Sequence, residues 1–270
     1  MNIALLLEYD GSEFYGWQIQ NKNGEIAENL PTVQGVLNQA LSKLLGEKIE
    51  VVGSSRTDAG VHATKYCASF HTENESIPPE RIAEAVRHLL PDTIVVKSSA
   101  KVPEEFHARF DCKGKTYRYL FYTGKTALPL LRNRAWYVKS ELDVEKMQQA
   151  VRHYIGSHYF DSFMAAGATP GATTERTIYN ATIKEIPAPC YEQDTGIENS
   201  NIKNHFYCFE VTGDGFLYNM VRIMVGTAVY AGMGKISPDD IPMIIENRDR
   251  RKAGITAPPQ GLYLADVLYQ

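Results

Sequence analysis

The chain has 270 residues, of which 44% are hydrophobic and 22% are charged. This composition is typical of an ordinary globular protein and excludes collagen-like, disordered and disulfide-scaffold classes. The formal net charge is −4, which argues weakly against a nucleic-acid partner. The charge is uneven, however: residues 1–105 carry a net of −6 and residues 106–270 a net of +2. Because a phosphate-binding face needs only local positive charge, a nucleic-acid partner stays open.

The first half predicts a fixed order of elements. Apolar residues at helical spacing in 32–46 indicate one buried helical face, and a proline pair at 78–79 opens a second helix. The predicted elements are a strand at 2–9, the helix at 32–46, strands at 48–53 and 65–71, a helix at 78–90 and a strand at 93–99. Their order is β-α-β-β-α-β.

The second half repeats this order. Its predicted elements are a strand at 113–122, a helix at 143–155, strands at 176–186 and 205–213, a helix at 217–231, a short helix at 238–247 and a closing strand at 261–269. Ser237 is expected to cap the short helix. Polar linkers at 21–31 and 187–204 are expected to be exposed loops.

The repeated order predicts an α+β fold of two ferredoxin-like (βαββαβ) halves with mostly antiparallel sheets. We expect the two domains to cover residues 1–105 and 106–270.

Several features indicate a cytoplasmic protein without metal or membrane. The four cysteines form no C-x-x-C pair and are expected to be buried thiols; they are Cys67, Cys112, Cys190 and Cys208. The histidines lack metal-binding spacing, and we expect no metal and no cofactor. The N-terminal apolar run is too short for a secretory signal. The most apolar segment, 216–234, is interrupted by Asn219 and Arg222, so no membrane span is expected.

One turn carries unusual chemistry. The stretch "GSSRTDAGVHA" at 53–63 joins two predicted strands, and its Asp58 and Gly60 are ordinary turn residues. Arg56, two positions before the aspartate, is not needed for a turn. A carboxylate beside a guanidinium stays ionised, which is the state that a nucleophile requires. Asp58 is therefore either a structural turn residue or a catalytic group.

Arg222 is the second unusual residue, because it lies in an apolar helix where an unpaired charge would be costly. Its partner is either a structural counter-ion, the carboxylate of Asp58, or a phosphate of a ligand.

In the strand 113–122, Tyr117, Tyr119 and Phe121 share one side. That pattern suits a half-buried strand, and aromatic rings among cations also suit RNA. His62, His107 and Trp17 are expected to support the structure by packing or hydrogen bonding.

Six segments in a fixed order resemble the tRNA pseudouridine synthase A family over nearly the whole chain. "RTDAGVHA" is the most specific of them. The segments are "EYDGSEFYGWQ" at 8–18, "RTDAGVHA" at 56–63, "FHARF" at 106–110, "YRY" at 117–119, "MVRIMVG" at 220–226 and "GLYL" at 261–264.

The resemblance implies roles for particular residues. Asp58 would be the catalytic aspartate, and Arg56 would help to displace the target base. Tyr117 would lie against the uracil, and Arg222 would pair with the catalytic carboxylate. Leu262 and Leu264 would form apolar walls of the pocket.

The family also implies an active site in a cleft between the halves, a homodimer, and a tRNA substrate modified at positions 38–40 of the anticodon stem-loop. The cations expected to contact RNA are Arg109, Lys113, Lys115 and Arg118. One departure is Ser55, where the family commonly has glycine. Serine fits that position if its backbone φ is negative.

Two other functions stay open. A non-catalytic RNA-binding module would use the same aromatic and basic residues, with Asp58 only in a turn. A nucleoside glycosidase would also place an aspartate at a glycosidic carbon, but it usually needs two carboxyl groups about 5–9.5 Å apart, and no second acid is evident near the motif.

Overall fold

A computed structural model describes residues 1–22, 25–26, 31–167, 173–188 and 204–269. The strands are β1 (Asn2–Tyr9), β2 (Asn21–Lys22), β3 (Glu25–Ile26), β4 (Val52–Gly53), β5 (His62–His71), β6 (Ile94–Val102), β7 (Gly114–Thr123), β8 (Trp136–Val138), β9 (Gly156–Tyr159), β10 (Glu175–Ile186), β11 (His205–Gly213) and β12 (Leu262–Leu268). The α-helices are α1 (Val33–Leu45), α2 (Ile82–Val86), α3 (Val144–Arg152), α4 (Met220–Gly232) and α5 (Ile241–Glu246). The fold is α+β with mostly antiparallel strand pairs, as predicted.

The chain divides into two compact units. The first comprises Met1–Lys115 and Tyr263–Gln270, and the second comprises Thr116–Leu262. The expected boundary after residue 105 lies ten positions earlier than the boundary between these units. The structure also groups nearly all of the closing strand β12 with the first unit.

In the first unit, β5 is the central strand. One of its edges pairs antiparallel with β1, which pairs antiparallel with β6. Its other edge is shared: β4 pairs with it antiparallel at Ala68 and Ser69, and β12 pairs with it parallel at His62 and Ala63. The order β6-β1-β5-β4 is the one that a β-α-β-β-α-β chain gives when each crossover helix packs on the sheet.

Local signals explain where α1 begins and ends. The Thr32 hydroxyl accepts a hydrogen bond from Gly35 N–H at 3.3 Å, which satisfies one of the unpaired donors at the helix start. Gly46 ends the helix with a left-handed φ of 72°, which glycine adopts without a steric penalty. Leu37 and Leu41 are fully buried, so the predicted apolar face is the packed face.

In the second unit, β10 pairs antiparallel with both β11 and β9, and β7 pairs parallel with β8. The buried rings of Tyr119, Phe121 and Phe209 contribute to the core. The helix α4 is buried over most of its length, and a Cβ on its Gly232 would lie 2.7 Å from Met147 of α3. A glycine at this position therefore lets the two helices approach closely.

Some predicted elements differ from the structure. The helix predicted at 78–90 is a single α-helical turn, α2, flanked by 3-10 turns. The helix predicted from 217 begins at Met220, because Asn219 has a left-handed backbone. Ser237 precedes a 3-10 turn but makes no capping hydrogen bond with its side chain. The short strands β8 and β9 were not predicted.

The predicted linkers are only partly described. Within 21–31, the dipeptides of β2 and β3 pair antiparallel, so this part is not a simple loop. Residues 23–24, 27–30 and 189–203 lie outside the described residues. Cys190 falls among them. The other cysteines are free thiols, as expected, and they are half-buried where buried thiols were predicted.

Candidate active site

Asp58 lies in a tight turn between β4 and β5. The N–H of Val61 donates to the backbone oxygen of Asp58 at 3.1 Å, and Gly60 has a left-handed φ of 77°. Asp58 is half-buried and Arg56 is exposed. The predicted turn is therefore present, and it presents a carboxyl group and a guanidinium two residues apart.

The segment 8–18 anchors this turn from the side. The backbone N–H of Trp17 donates to the oxygen of Thr57 at 3.1 Å, and Gly60 N–H donates to the oxygen of Phe14 at 3.2 Å. The hydroxyls of Tyr9 and Thr57 are 2.9 Å apart and buried. The residues before and after Asp58 are thus fixed by backbone and side-chain bonds from one segment.

Two glycines let the segment 8–18 approach the turn. A Cβ on Gly16 would lie 2.3 Å from the oxygen of Thr57 and 3.1 Å from the carbonyl carbon of Asp58, and its φ is +86°. A Cβ on Gly11 would lie 1.9 Å from the oxygen of Val61. Since real Cβ atoms do not approach backbone atoms so closely, side chains at both positions would push the segment off the turn.

An aromatic pair supports the start of the turn. Trp17 stacks on Tyr66 with ring centroids 4.1 Å apart, and both residues are buried. The Tyr66 hydroxyl donates a short hydrogen bond to the backbone oxygen of Ser55. Among the described residues, only Asn219 and Arg248 combine a side chain with positive φ, so Ser55 has the negative φ that serine requires at the family's glycine position.

His62 ties the other end of the turn to the segment 8–18. Its Nδ1 accepts a hydrogen bond from Gly11 N–H at 3.1 Å and lies 3.0 Å from Asp10 Oδ1. The residue is 2% exposed, and its ring stacks on Tyr263 with centroids 4.7 Å apart. Neutral Nδ1 can accept from the amide, and protonated Nδ1 can donate to the carboxylate. His62 and Trp17 therefore support the structure, as expected.

Arg222 lies near the start of α4 in the second unit and is half-buried. Its Nε donates to the oxygen of Ala257 at 2.7 Å, and its Nη1 donates to Asn219 Oδ1 at 2.6 Å. Asn219 precedes the helix with a φ of 60°. These contacts fix the direction of the guanidinium within its own unit, while the predicted pairing with Asp58 stays a prediction.

The aromatic side of β7 is a core face. Tyr119 and Phe121 are at most 1% exposed, which favours the packing interpretation of these two rings over RNA contact. Tyr117 is 6% exposed and meets Phe216 edge-to-face at 5.2 Å. Of the three rings on this face, Tyr117 lies nearest the start of β7, and it is the first residue of "YRY".

The remaining predicted site residues differ in exposure. Leu262 and Leu264 are buried on β12. Arg109 and Lys113 are exposed, and Lys115 is half-buried. Arg118 is exposed, but its Nε lies 2.7 Å from Glu210 Oε2. A phosphate would therefore have to share or displace a carboxylate at Arg118.

Two of the thiols, those of Cys67 and Cys208, offer little nucleophilic character. Burial raises the pKa of the Cys208 thiol to about 11, and burial also raises the pKa of Cys67. The thiolate is the reactive form of cysteine, so both thiols are poor nucleophiles near neutral pH. Within the described residues, no three His, Cys, Asp or Glu side chains group closely enough to hold a metal ion.

Comparisons with known proteins show the family to which this chain is similar. A family model described as "tRNA pseudouridine synthase" matches residues 6–111 and 150–270. This chain belongs to that family. The tRNA pseudouridine synthase A of Ruminiclostridium cellulolyticum is 46% identical over 267 residues, which is 99% of each chain. The same-named protein of Acetivibrio thermocellus is 44% identical over 268 residues, again 99% of each.

A further relative, the "tRNA pseudouridine synthase A 2" of Clostridium tetani, is 41% identical over 268 residues, 99% of this chain and 98% of its own. The family match of 6–111 contains the Asp58 turn and its anchoring segment, and the match of 150–270 contains Arg222.

The sequence predicted the turn, but it did not predict that Tyr9, Gly16 and Asn219 support the site. The available signal for Gly16 was its place between the bulky residues Tyr15 and Trp17 in "EYDGSEFYGWQ".

Proposed function

We propose that this chain isomerises uridine to pseudouridine in tRNA, at positions 38–40 of the anticodon stem-loop, with Asp58 as the nucleophile. The observation that carries the proposal is the anchored turn of a family member, in which fixed neighbours on both sides hold a half-buried Asp58 two positions after an exposed Arg56. A turn that served only to reverse the chain would not need such anchoring.

The reaction breaks the N1–C1′ bond, turns the uracil and forms a C5–C1′ bond. The ring gains a proton at N1 and loses one from C5, so atoms balance without an oxidant or a second substrate. The Asp58 carboxylate acts on C1′ of the ribose or on C6 of the ring, and either attack gives a covalent intermediate that collapses to product. Holding the turn rigid lowers the entropic cost of reaching that geometry.

The target uridine has to leave its stack before the carboxylate can reach it. Extrusion of a base costs a few kcal/mol, about the value of one or two stacking steps. The exposed Arg56 has the length and charge to fill the space that the base leaves and to contact its phosphate. We assign Arg56 this role.

The proposed roles of the other residues follow the family. Tyr117 contacts the uracil, and its hydroxyl can move a proton. Arg222 keeps the catalytic carboxylate ionised. Leu262 and Leu264 contribute apolar surface that excludes water from the base.

We further propose that the enzyme works as a homodimer in the cytoplasm, where Arg109, Lys113, Lys115 and Arg118 contact phosphates of the tRNA. Within the described residues, no helix is long and apolar enough to cross a membrane.

The test uses tRNA transcribed with uridine that carries tritium at C5. Pseudouridine formation releases this tritium to water, because C5 exchanges its hydrogen for the bond to C1′. We expect the wild-type chain to release one tritium for each modified site, and mapping should place the product at positions 38–40. Binding of tRNA without release would favour the non-catalytic RNA-binding module. Release of free uracil would favour the glycosidase.

A further inference from the structure

Residues 106–111 form a loop that presents one aromatic ring to solvent. Phe110 is 72% exposed, and Arg109 beside it is also exposed. The Arg109 Cζ lies 5.7 Å from the centroid of the Phe110 ring, and His107 stacks on this ring at 4.2 Å. We define the Phe110 platform as His107, Arg109 and Phe110. Nothing in the catalytic proposal uses its ring.

The platform is rigid. The Nδ1 of His107 accepts hydrogen bonds from the backbone N–H groups of Arg109 at 3.2 Å and of Phe110 at 3.1 Å. The backbone N–H of His107 donates to Asp111 Oδ2 at 2.8 Å, which closes the loop. An exposed ring on a loop held in this way loses little conformational entropy when it binds a ligand.

The loop is also fixed to the sheet. Ala108 is fully buried, its N–H donates to the Ser69 hydroxyl at 3.2 Å, and its oxygen accepts from the Tyr269 hydroxyl at 2.6 Å. Ser69 is seven positions along β5 from His62, which follows the Asp58 turn. At about 3.3 Å per residue, Ser69 lies about 23 Å along the strand from His62. Asp58 is at the His62 end of the turn, because its backbone oxygen accepts from Val61 N–H, whereas the turn begins beside Cys67, where Ser54 N–H donates to the Cys67 oxygen. The platform is therefore anchored toward the start of the turn and away from Asp58.

We propose that the Phe110 platform binds an unpaired base of the tRNA other than the target uridine, with Phe110 stacking on the base and Arg109 contacting an adjacent phosphate. An aromatic face accepts any base, and a neighbouring guanidinium supplies the charge that single-stranded RNA requires. This proposal uses one part of the proposed function, namely that the RNA that binds is tRNA.

The surroundings of the platform favour a base over a protein partner. One phenylalanine buries roughly 150–250 Å² at most, whereas a stable protein interface needs at least about 1,200 Å². Among the described residues of the first unit, the other exposed large hydrophobic side chains are Tyr15 and Val95. Neither lies in this loop, so Phe110 adds no second exposed hydrophobic side chain to its surroundings and has the charged Arg109 beside it. Lys113, which follows the loop, is exposed and adds positive charge.

The test measures the Kd for full-length tRNA of the wild type and of variants at position 110. We expect Phe110→Ala and Phe110→Leu to weaken binding by about five- to a hundredfold, because both lose the π face. Phe110→Trp should bind within about twofold of the wild type, and its added tryptophan fluorescence should be quenched when tRNA binds. Val95→Ala is the matched control, since it truncates an exposed hydrophobic side chain elsewhere in the unit.

A kinetic arm separates the platform from catalysis. Phe110→Ala should raise KM for tRNA and leave kcat unchanged, with an unchanged melting temperature. The proposal is wrong if Phe110→Leu binds as well as Phe110→Trp, if Phe110→Ala changes the oligomeric state, or if it lowers kcat at saturating tRNA. Because Kd is measured without turnover, a chain that binds tRNA through Phe110 but makes no pseudouridine would overturn the proposed function alone.

Discussion

Trp17 donates its backbone N–H to the backbone oxygen of Thr57 at 3.1 Å, and Thr57 directly precedes Asp58. The bond joins two sequence motifs that are forty residues apart in the chain. It explains why "EYDGSEFYGWQ" and "RTDAGVHA" occur together: the first segment is the support on which the second is built. The geometry of the proposed nucleophile therefore depends on residues outside its own motif.

Gly16 provides the most direct test of this support. We expect Gly16→Ala to destabilise the protein by more than about 2 kcal/mol, because a left-handed alanine costs about 1–2 kcal/mol and its Cβ would also clash with the turn. Pseudouridine formation should fall at least about tenfold, which corresponds to about 1.4 kcal/mol. Chemical denaturation and the tritium assay measure the two effects.

Gly46→Ala is the matched control for Gly16→Ala. Gly46 has a φ of +72° but no atom within 4 Å of its Cβ position. The Gly46→Ala variant should lose only about 1–2 kcal/mol of the free energy of unfolding. Its turnover should be unchanged at temperatures where the protein is folded. Equal losses of activity in the two variants would show that contact with the turn is irrelevant.

The hydroxyl pair of Tyr9 and Thr57 is suited to a double-mutant cycle. Tyr9→Phe and Thr57→Val should each lower the free energy of unfolding by about 1 kcal/mol. The double variant should lower it by clearly less than the sum of the two, because either single variant already loses the bond. Thr57→Ser keeps the hydroxyl and should retain turnover. Additive effects on the free energy of unfolding would mean that the two hydroxyls do not interact.

Arg222 should be needed for both activity and stability. Arg222→Ala leaves the oxygen of Ala257 and Asn219 Oδ1 without their donor, and we expect a loss of about 1–3 kcal/mol together with a large fall in kcat. Asn219→Gly is the control, because glycine tolerates the φ of 60° and the substitution removes only the Asn219 Oδ1 acceptor of Arg222. If Arg222→Ala were as stable and active as the wild type, neither its structural nor its catalytic role would stand.

The half-buried thiol of Cys208 should lower the free energy of unfolding at alkaline pH. Burial raises its pKa to about 11 from an ordinary value of 9.0. The folded state thus keeps the proton that the unfolded state releases above pH 9, so the stabilisation is complete below pH 9 and is lost as pH rises toward 11. Cys208→Ala should lose less stability than the wild type between pH 9 and 11, by about 1 kcal/mol. Identical pH profiles in urea denaturation would contradict the burial effect.

The sequence predicted the long elements because their signals are local. The apolar spacing of Leu37 and Leu41 identified α1, and the alternation of Tyr117, Tyr119 and Phe121 identified β7. The strands β8 and β9 have three and four residues, too few for alternation to be recognised, and they form only because a neighbouring strand pairs with them. The late start of α4 depends on the backbone of Asn219, which residue type alone does not fix.

The candidate site was predictable in part. Asp58, Arg56 and Gly60 lie together in one short motif, so the turn and its chemistry could be inferred from residue types. The contacts of Tyr9 and Gly16 with the turn connect distant parts of the chain, and such contacts leave no local pattern. The same holds for Phe110, whose exposure depends on Ala108 being drawn into the core.

The central claim is that Asp58 performs the chemistry, and Asp58→Asn tests it most directly. The amide keeps the shape of the side chain but is not a nucleophile. In a single-turnover tritium assay at saturating tRNA, we predict a rate at least about a thousandfold below the wild type, with the Kd for tRNA within about threefold. An Asp58→Asn variant that folds, binds tRNA and keeps more than about a tenth of the wild-type rate, a deficit of less than about 1.4 kcal/mol, would contradict the account.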